Sequence, residues 1–406
     1  MKDILLINVS GRDKPGVTSV VTGVLSRFDV TVLDIGQAVI HDQLNLGILA
    51  AVPKSDGSEA MIGDIQSSLR ALAMQAQFSS ISNERYQHWV DQQGKSRYIV
   101  TLLAREISSE HLAAVTTVTS DHGLNIDKIV RLSGRINLDE TDQLGRACVE
   151  FSVRGEPKNA PELKKALLEL AGRYDIDVAY QEDSIFRRNR RLVVFDMDST
   201  LIDAEVIDEL AYEAGVGDQV AAITEAAMQG ELDFKESFTQ RMALLKGLDV
   251  SVLQTVAERL RLNEGAEHLI STLKKLGYKT AIVSGGFTFF GEYLQQRLGV
   301  DYVYANQLDI KDGLVTGLVS GDIIDGQRKA ELVRQIAAEE GLKLQQVIAV
   351  GDGANDLPML GIAGLGIAFR AKPLVKASAE QSISNLGLDG ILYLLGYSDK
   401  DTLILD

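Results

Sequence analysis

A short apolar run followed by two aspartates is the feature that most restricts how this chain can fold. Leu192–Phe195 are all apolar, which predicts a strand buried on both faces, and Asp196 and Asp198 lie in the loop that follows it. In an open α/β sheet, ligands bind beyond the carboxyl ends of the strands. The pattern therefore predicts a sheet with two carboxylates where such proteins carry out chemistry. A helix start capped by an acidic or hydroxyl side chain is the alternative interpretation.

The rest of the C-terminal half supports a sheet core. Predicted strands alternate with predicted helices from residue 191 onward, which is typical of a parallel sheet with helices on both faces. The predicted strands are 192–195, 279–283, 302–305, 347–350 and 365–368. Between the first two, the stretch 204–263 contains amphipathic helical segments at 219–229, 233–245 and 250–260. We expect a doubly wound α/β core with a helical cap over the strand ends.

The N-terminal half carries one order of elements twice. A βαββαβ pattern covers residues 4–82 and recurs over residues 98–180, which predicts two ferredoxin-like α+β domains. We place the domains at 1–84, 97–183 and 184–406, with the cap at about 204–263. The basic stretch 186–191 is interpreted as a solvated linker rather than a nuclear address or a nucleic-acid site, because the chain as a whole is acidic.

Charge and cysteine content exclude several classes of function. The formal net charge of −16 argues against a general binder of nucleic acids or anionic membranes. No apolar stretch is long enough to span a bilayer and the N-terminus lacks a signal-peptide pattern, so we expect a cytoplasmic protein. Cys148 is the single cysteine, which excludes an intramolecular disulfide, a zinc ribbon and a C-x-x-C redox site. Its apolar neighbours predict a packed strand thiol.

Three further motifs suit the chemistry of a phosphate group. Ser284, Gly285 and Gly286 form a hydroxyl- and glycine-rich turn after the second strand, whose N–H groups suit phosphate oxygens, although a plain glycine turn is an alternative. Lys329 opens a predicted helix and offers a cation, although a lysine there is usually a surface residue. The loop 351–356, Gly-Asp-Gly-Ala-Asn-Asp, places two acids and an amide after a buried strand and suits Mg²⁺.

In this order, D-x-D-x-T, S-G-G, Lys and G-D-G-x-N-D resemble the motifs of the haloacid dehalogenase superfamily. The helical insertion resembles its C1-type cap. Within the superfamily, the stretch 191–395 resembles the phosphoserine phosphatases, on the catalytic motifs and on residues of the cap region: Glu205, Met228, Phe234 and Arg241. The resemblance implies a Mg²⁺-dependent enzyme that hydrolyses O-phospho-L-serine through an aspartyl-phosphate, the last step of serine biosynthesis.

The resemblance also implies a role for each matching residue. Asp196 would be the nucleophile and Asp198 the general acid and base. Mg²⁺ would bind Asp196, the carbonyl of Asp198 and Asp352, with Asp356 supporting the loop. Four residues would grip the phosphate: Ser284, Gly285, Lys329 and Asn355. Glu205 and Arg241 would bind the ammonium and carboxylate groups of the substrate, and Met228 and Phe234 would close its apolar side, although each charge alone is usually a surface group.

The repeated N-terminal pattern resembles a tandem pair of ACT domains. Asp13-Lys14-Pro15-Gly16 opens a helix in the first copy, and Pro15 presets the first turn while free N–H groups there can receive a carboxylate. The resemblance implies an amino-acid effector site that includes Asp13 and Gly16, and a homodimer; a plain helix-start turn is the alternative. In the second copy, Arg105-Glu106-Ile107-Ser108-Ser109 replaces the motif, so that copy is expected to pack rather than bind.

Two other functions compete with this interpretation. The first is a related phosphatase or phosphotransferase that acts on another small phosphorylated alcohol. The second is an amino-acid-binding regulator with an inactive phosphatase fold. The complete set of motifs argues against the regulator, because a protein released from catalysis is expected to lose its nucleophile or a metal-binding acid first.

Overall fold

The protein is described by a computed structural model that covers residues 2–53, 57–135, 145–228 and 231–405. Over these ranges the chain forms two compact units, Met1–Lys95 and Ser96–Asp406. The division into three domains at 84, 97 and 183 stays a prediction. Within the described ranges, no helix has both the length and the apolar character needed to cross a bilayer.

The first unit is a four-stranded antiparallel sheet with strand order β2-β3-β1-β4. Its elements are β1 (Lys2–Arg12), α1 (Val17–Arg27), β2 (Thr31–Ile40), β3 (Gln43–Pro53), α2 (Gly57–Ala71), β4 (Gln75–Ile81) and α3 (Asn83–Asp91). The core lies between the sheet and the helices α1 and α2. The sequence does not predict helix α3, because its apolar face is limited to the partly buried Tyr86, Trp89 and Val90 in an otherwise polar stretch.

The second unit begins with a sheet of the same topology, in the order β6-β7-β5-β8. Its elements are β5 (Arg97–Ala104), α4 (Ser109–Asp121), β6 (Asn125–Arg131), β7 (Ala147–Arg154), α5 (Ala160–Tyr174) and β8 (Asp177–Glu182). We call this part the second ferredoxin-like sheet. Cys148 is fully buried in β7, as the sequence predicts.

A seven-stranded sheet forms the rest of the second unit, in the order β12-β11-β10-β9-β13-β14-β15. Its strands are β9 (Leu192–Phe195), β10 (Lys279–Phe287), β11 (Tyr302–Lys311), β12 (Leu314–Ser320), β13 (Val347–Gly351), β14 (Leu365–Phe369) and β15 (Gln381–Ile383). All pairs are parallel except β11 with β12. Phe195 of β9 is in register with Ile282 and Val350, so the loops after the three central strands leave at the same edge.

Helices cover both faces of this sheet and form the cap. The cap helices are α6 (Val206–Glu213), α7 (Gly217–Met228), α8 (Phe234–Leu244) and α9 (Ser251–Arg259). The other helices are α10 (Ala266–Lys275), α11 (Thr288–Leu298), α12 (Gly326–Glu339), α13 (Leu357–Ile362), α14 (Pro373–Ser378), α15 (Ile391–Leu394) and α16 (Asp399–Leu403). The predicted cap therefore lies between β9 and β10, as expected.

Buried hydrogen bonds join the second ferredoxin-like sheet to the seven-stranded sheet. The side chain of Gln381 on β15 accepts from the Tyr180 N–H at 2.9 Å and donates to the Tyr180 carbonyl at 2.6 Å. The Asp177 carboxylate accepts from the N–H groups of Ser384 and Asn385, at 2.9 and 2.8 Å. Because buried polar groups are costly when left unpaired, these contacts fix the two sheets against each other.

The basic stretch 186–191 is only in part the solvated linker that the sequence predicts. Arg187 and Arg190 are only 4% and 5% exposed. Arg187 donates to the Glu150 carboxylate, and Arg190 donates to the Gln181 side chain and the Gly364 carbonyl, each at 3.2 Å. Burial lowers the pKa of Arg190 to about 10. The prediction was wrong for Arg187 and Arg190 because their partners are distant in sequence and become neighbours only in the folded unit. Arg188, Asn189 and Arg191 are exposed, as predicted.

Candidate active site

The two aspartates of the first motif lie at the carboxyl end of β9. The Asp196 N–H donates to the Val350 carbonyl at 2.9 Å, which continues the ladder with β13 by one residue. Asp196 and Asp198 are 5% and 9% exposed, and Met197 between them is fully buried in the core. Ser199 then adopts a left-handed backbone with φ of 54°, and the chain turns away from the sheet. The turn holds both carboxylates at the sheet edge.

Lys329 of α12 is fully buried and contacts two carboxylates. Its Nζ lies 2.8 Å from Asp196 Oδ1 and 2.7 Å from Asp356 Oδ1. Burial alone would lower the pKa of Lys329, but the charges of Asp196 and Asp356 raise it above its ordinary value. The surface alternative for this lysine is therefore wrong, and the site has a fixed cation.

The loop after β13 brings two more acids to this edge. Asp352 Oδ1 accepts from the Thr200 hydroxyl at 3.2 Å. Asp356 Oδ2 accepts from the Gly353 N–H at 2.9 Å, while its Oδ1 is bound to Lys329. Gly351 admits no side chain, because a Cβ there would lie 2.4 Å from Asp356 Cγ. The glycines of this loop therefore allow Asp356 to fold back beneath it.

Asp196, Asp352 and Asp356 form a cluster that could hold a metal ion. One carboxylate oxygen of each lies within 4.8 Å of the others. Burial, followed by the charges of Asp196 and Asp356, raises the pKa of Asp352 to about 8. Lys329 balances only part of this negative charge, and an all-oxygen donor set suits a hard divalent cation. The sequence predicts Asp196, Asp352 and the backbone carbonyl of Asp198 as metal ligands. The cluster of side chains has Asp356 as its third member instead.

Asp198 is placed to exchange a proton. Its Oδ1 accepts from the Val206 N–H at 3.4 Å, at the start of α6. Burial, with the charges of Glu205 and Asp196, raises the pKa of Asp198 well above its ordinary value. A carboxyl group with a raised pKa retains its proton more readily and can donate it to a leaving oxygen. The two aspartates therefore have different environments, as a nucleophile and an acid require.

The Ser284 segment lies directly beside Asp198. Ser284 is fully buried and its hydroxyl oxygen accepts from the Gly286 N–H at 2.9 Å, which leaves the hydroxyl hydrogen for another acceptor. A Cβ on Gly286 would lie 2.7 Å from Asp198 Oδ2 and 2.6 Å from Met197 Cε. The segment continues β10 with an irregular register up to Phe287, where the sequence predicts a turn. Glycine is required here by close packing against the acid.

Glu205 and Arg241 face the same cleft from the cap. Glu205 caps α6 and accepts from the Ser199 hydroxyl at 2.8 Å. Burial lowers the pKa of Arg241, and the charges of Asp208 and Glu205 partly offset this shift. Glu205 itself is an exposed residue. Within the described ranges, the buried Nε of Arg241 has no hydrogen-bond partner. A buried guanidinium donor without a partner is suited to a carboxylate of a ligand.

Aromatic residues and one ion pair join the cap to the core. Phe234 approaches Gly285 so closely that a Cβ there would lie 3.1 Å from Phe234 Cζ. Lys235 Nζ lies 2.9 Å from an oxygen of Asp325, the N-cap of the helix that carries Lys329. Met228 ends α7, but its side chain lies outside the described part of the structure. The contacts of Phe234 close one side of the cleft.

Asn355 lies on the same loop as Asp352 and is partly buried. A Cβ on Gly353 would lie 2.2 Å from the side-chain oxygen of Asn355.

In the first unit, Gly16 has φ of 95° and caps α1, beside a cavity of about 380 Å³. Asp13, Gly16 and Gln37 are among its lining residues. The structure therefore places Asp13 and Gly16 at one cavity, and the catalytic motifs at one sheet edge.

Three polar residues at the site have contacts for which the sequence predicts no role. Thr200 binds Asp352, and the amide of Asn306 joins the Gly285 carbonyl to the Ile324 N–H at 2.8 and 2.9 Å. Asn263 donates to the Thr200 carbonyl in the loop after Asp198. The threonine of D-x-D-x-T was an available signal, whereas single asparagines carry none.

Comparisons with known proteins agree with this geometry. Residues 190–364 match the haloacid dehalogenase-like hydrolase family, and residues 3–79 match the ACT domain family. A phosphoserine phosphatase of Streptomyces coelicolor is 41% identical over 98% of this chain and 93% of its own length. Phosphoserine phosphatase SerB2 of Mycobacterium tuberculosis is 41% identical over 97% of this chain and 93% of its own.

A solved structure gives the same result. The structure of a probable phosphoserine phosphatase from Vibrio cholerae matches with a TM-score of 0.58 and 32% identity, over 77% of this chain and 89% of that one. The predicted family resemblance and the α/β core are therefore confirmed. The chain belongs to the phosphoserine phosphatase family of haloacid dehalogenase-like hydrolases.

Proposed function

We propose that this enzyme hydrolyses O-phospho-L-serine to L-serine and phosphate, the last step of serine biosynthesis. The observation that carries the proposal is that two chemically distinct groups of side chains lie close together. Asp196, bound to buried Lys329, belongs to one group. Arg241, with its unpartnered buried Nε, and Glu205 belong to the other. A phosphate monoester with an ammonium and a carboxylate matches both groups.

In the first step, Asp196 attacks phosphorus and the bond from phosphorus to the serine oxygen breaks. Lys329 and the Met197 N–H both bind Oδ1 of Asp196, at 2.8 Å, so these donors leave the lone pairs of Oδ2 available. The proton of Asp198 passes to the departing serine oxygen, which yields neutral L-serine and an aspartyl-phosphate. The raised pKa of Asp198 supports this role.

In the second step, water attacks the phosphorus of the aspartyl-phosphate. Asp198, now a carboxylate, takes the proton of the water, and the bond from phosphorus to Asp196 breaks. Ser284, the Gly285 N–H, Lys329 and Asn355 hold the phosphate oxygens in both steps. The free hydroxyl hydrogen of Ser284 and the buried charge of Lys329 support these assignments.

Asp196, Asp352 and the carbonyl of Asp198 are the proposed ligands of Mg²⁺, and Asp356 supports the loop through Lys329 and Gly353. When bound, the ion offsets negative charge on the phosphoryl group. The crowding of three carboxylates, two of which contact Lys329, supports this assignment.

Replacing Arg241 tests the choice of substrate. Arg241→Ala is expected to lower kcat/KM for O-phospho-L-serine about 100-fold, because a charged hydrogen bond to the substrate is lost. Phosphoethanolamine, which lacks the carboxylate, should be hydrolysed at an unchanged rate. The measurement is phosphate release from a panel of small phosphate esters.

Arg259→Ala is the matched control, because Arg259 pairs with Glu209 and Glu213 at the cap surface. An equal loss on both substrates in Arg241→Ala would contradict the assignment. If another phosphorylated alcohol in the panel is hydrolysed faster than O-phospho-L-serine, the result would instead favour the related phosphatase or phosphotransferase.

We also propose that the first unit binds an amino-acid effector at the cavity beside Asp13 and Gly16. The backbone N–H groups at the start of α1 are suited to its carboxylate. Titration with L-serine is expected to change turnover of the full chain. A chain that begins at Ser96 should keep basal turnover, because the second unit holds the whole catalytic site, but lose this response. Identical titrations of the two chains would assign any effect of serine to the active site.

A homodimer and a cytoplasmic location complete the proposal. The edge strand β2 of the first unit exposes apolar side chains, among them Ile35 and Ile40, which supports pairing between copies. Light scattering and cell fractionation would test the two statements.

A further inference from the structure

The loop after Asp198 is held by one buried side chain. Asn263, 5% exposed, lies where the chain returns from the cap to the core. Its Nδ2 donates to the carbonyls of Thr200 at 2.9 Å, Ile202 at 3.2 Å and Ser199 at 3.3 Å. Its backbone N–H donates to the Leu201 carbonyl at 2.9 Å. Asn263 therefore ties the segment that enters the cap to the segment that leaves it.

This loop reaches both sides of the catalytic cleft. The Thr200 hydroxyl binds Asp352 on the core side, and the Ser199 hydroxyl binds Glu205 on the cap side. The loop also follows directly on Asp196 and Asp198. A change in its position would displace the reacting groups and the groups that contact the substrate together.

Arg370 orients the amide of Asn263. Its Nη1 donates to Asn263 Oδ1 at 3.3 Å, and its Nη2 donates to Glu264 Oε2 at 2.9 Å. With the oxygen facing Arg370, the NH₂ group faces the three carbonyls, which require a donor. Arg370 itself has φ of 45°, an uncommon backbone conformation for a residue other than glycine.

The same Glu264 is bound by the second ferredoxin-like sheet. Arg105 Nη1 and Nη2 donate to Glu264 Oε1 and Oε2 at 2.7 and 2.6 Å, as a bidentate pair. Arg105 follows β5, the strand that corresponds to β1 of the first unit. In the first unit, the segment after β1 lines the cavity beside Gly16. The equivalent turn in the second copy instead contacts the catalytic part of the chain.

We propose that Asn263 is a positioning residue for the catalytic loop, and that Arg105 of the second ferredoxin-like sheet sets its position through Glu264 and Arg370. The chain of contacts is continuous, with every link at hydrogen-bond distance. The proposal rests on the proposed phosphatase reaction. It assigns a catalytic task to a copy of the ACT-like fold that lacks the effector motif.

Kinetics of single variants test the first part. Asn263→Ser is expected to lower kcat about 100-fold and to raise KM to a smaller extent, because the reacting groups and Glu205 are displaced together while Arg241 and the phosphate-binding residues keep their places. Arg105→Ala is expected to lower kcat about fivefold. Arg154→Ala is the control, because Arg154 pairs with Asp127 within the second ferredoxin-like sheet and should leave kcat unchanged.

A double variant separates positioning from general destabilisation. If Arg105 acts through Asn263, adding Arg105→Ala to Asn263→Ser should lower kcat no further, whereas a merely structural role would multiply the two losses. Multiplied losses, an unchanged kcat in Arg105→Ala, or a loss confined to KM would overturn the inference. Each comparison uses wild-type turnover of O-phospho-L-serine as its reference, and the absence of that turnover would instead contradict the proposed function.

Discussion

Asp196→Asn is expected to lower kcat at least about 1,000-fold, because the amide cannot act as the nucleophile at phosphorus. Folding should be preserved. The substitution removes one of three crowded carboxylates, and Lys329 keeps its contact with Asp356 at 2.7 Å. Thermal unfolding without added metal should therefore occur at the wild-type temperature or above it. Phosphate release measures the turnover, and labelled phosphoserine measures the aspartyl-phosphate, which should form in the wild type and not in the variant.

Asp203→Asn is the matched control for this substitution. Asp203 lies a few residues further along the same loop, with its side chain exposed to solvent. The variant Asp203→Asn loses the same formal charge as Asp196→Asn and should keep full turnover. A variant at Asp196 with more than about a tenth of wild-type kcat would show that the carboxylate does not form the covalent intermediate.

Most of the fold could be predicted because its signals are local. The apolar run before Asp196 becomes the central strand β9, with all four residues buried. The antiparallel strand β12 was missed, although Asp312 and Gly313 at its turn are a typical hairpin signal. The three-residue strand β15 is too short to show a pattern. The elements α3 and β15 have a short apolar face or too few residues to show a pattern, whereas neither of these physical reasons applies to β12.

The site could be predicted in part for a related reason. Parallel strands leave the sheet at one edge, so motifs that follow separate strands come together without further information. The burial of a charged side chain cannot be predicted in this way. Lys329 looks like a surface lysine in the sequence, and only its two carboxylate partners explain why it is inside.

Polar contacts between distant segments are beyond prediction from one sequence. Arg105 and Glu264 are 159 residues apart, and Arg370 and Asn263 are 107 apart. None of these residues belongs to a motif, and each has an ordinary helix-surface or loop alternative. Their arrangement follows from how the second ferredoxin-like sheet docks, which the predicted elements alone do not determine.

Lys329→Met is expected to remove both turnover and stability. Methionine has a similar length, but it leaves Asp196 and Asp356 buried without their cation. Breaking a buried ion pair in this way costs about 3–5 kcal/mol. In a unit of this size, that loss should lower the unfolding temperature by about 5–8 °C. Lys165→Met is the control, because Lys165 forms only an exposed pair with Glu169, and its unfolding temperature should change little.

The double variant Lys329→Met with Asp356→Asn separates the two effects. Removing one carboxylate together with the lysine restores neutrality at Asp356, so most of the lost stability should return. Turnover should stay at least about 1,000-fold below wild type, because the transferring phosphoryl group still lacks the fixed cation. Scanning calorimetry measures the stability of each sample, and phosphate release measures its turnover. Recovery of turnover together with stability would show that Lys329 serves only to balance the buried acids, and the assignment of Lys329 to the phosphate would be withdrawn.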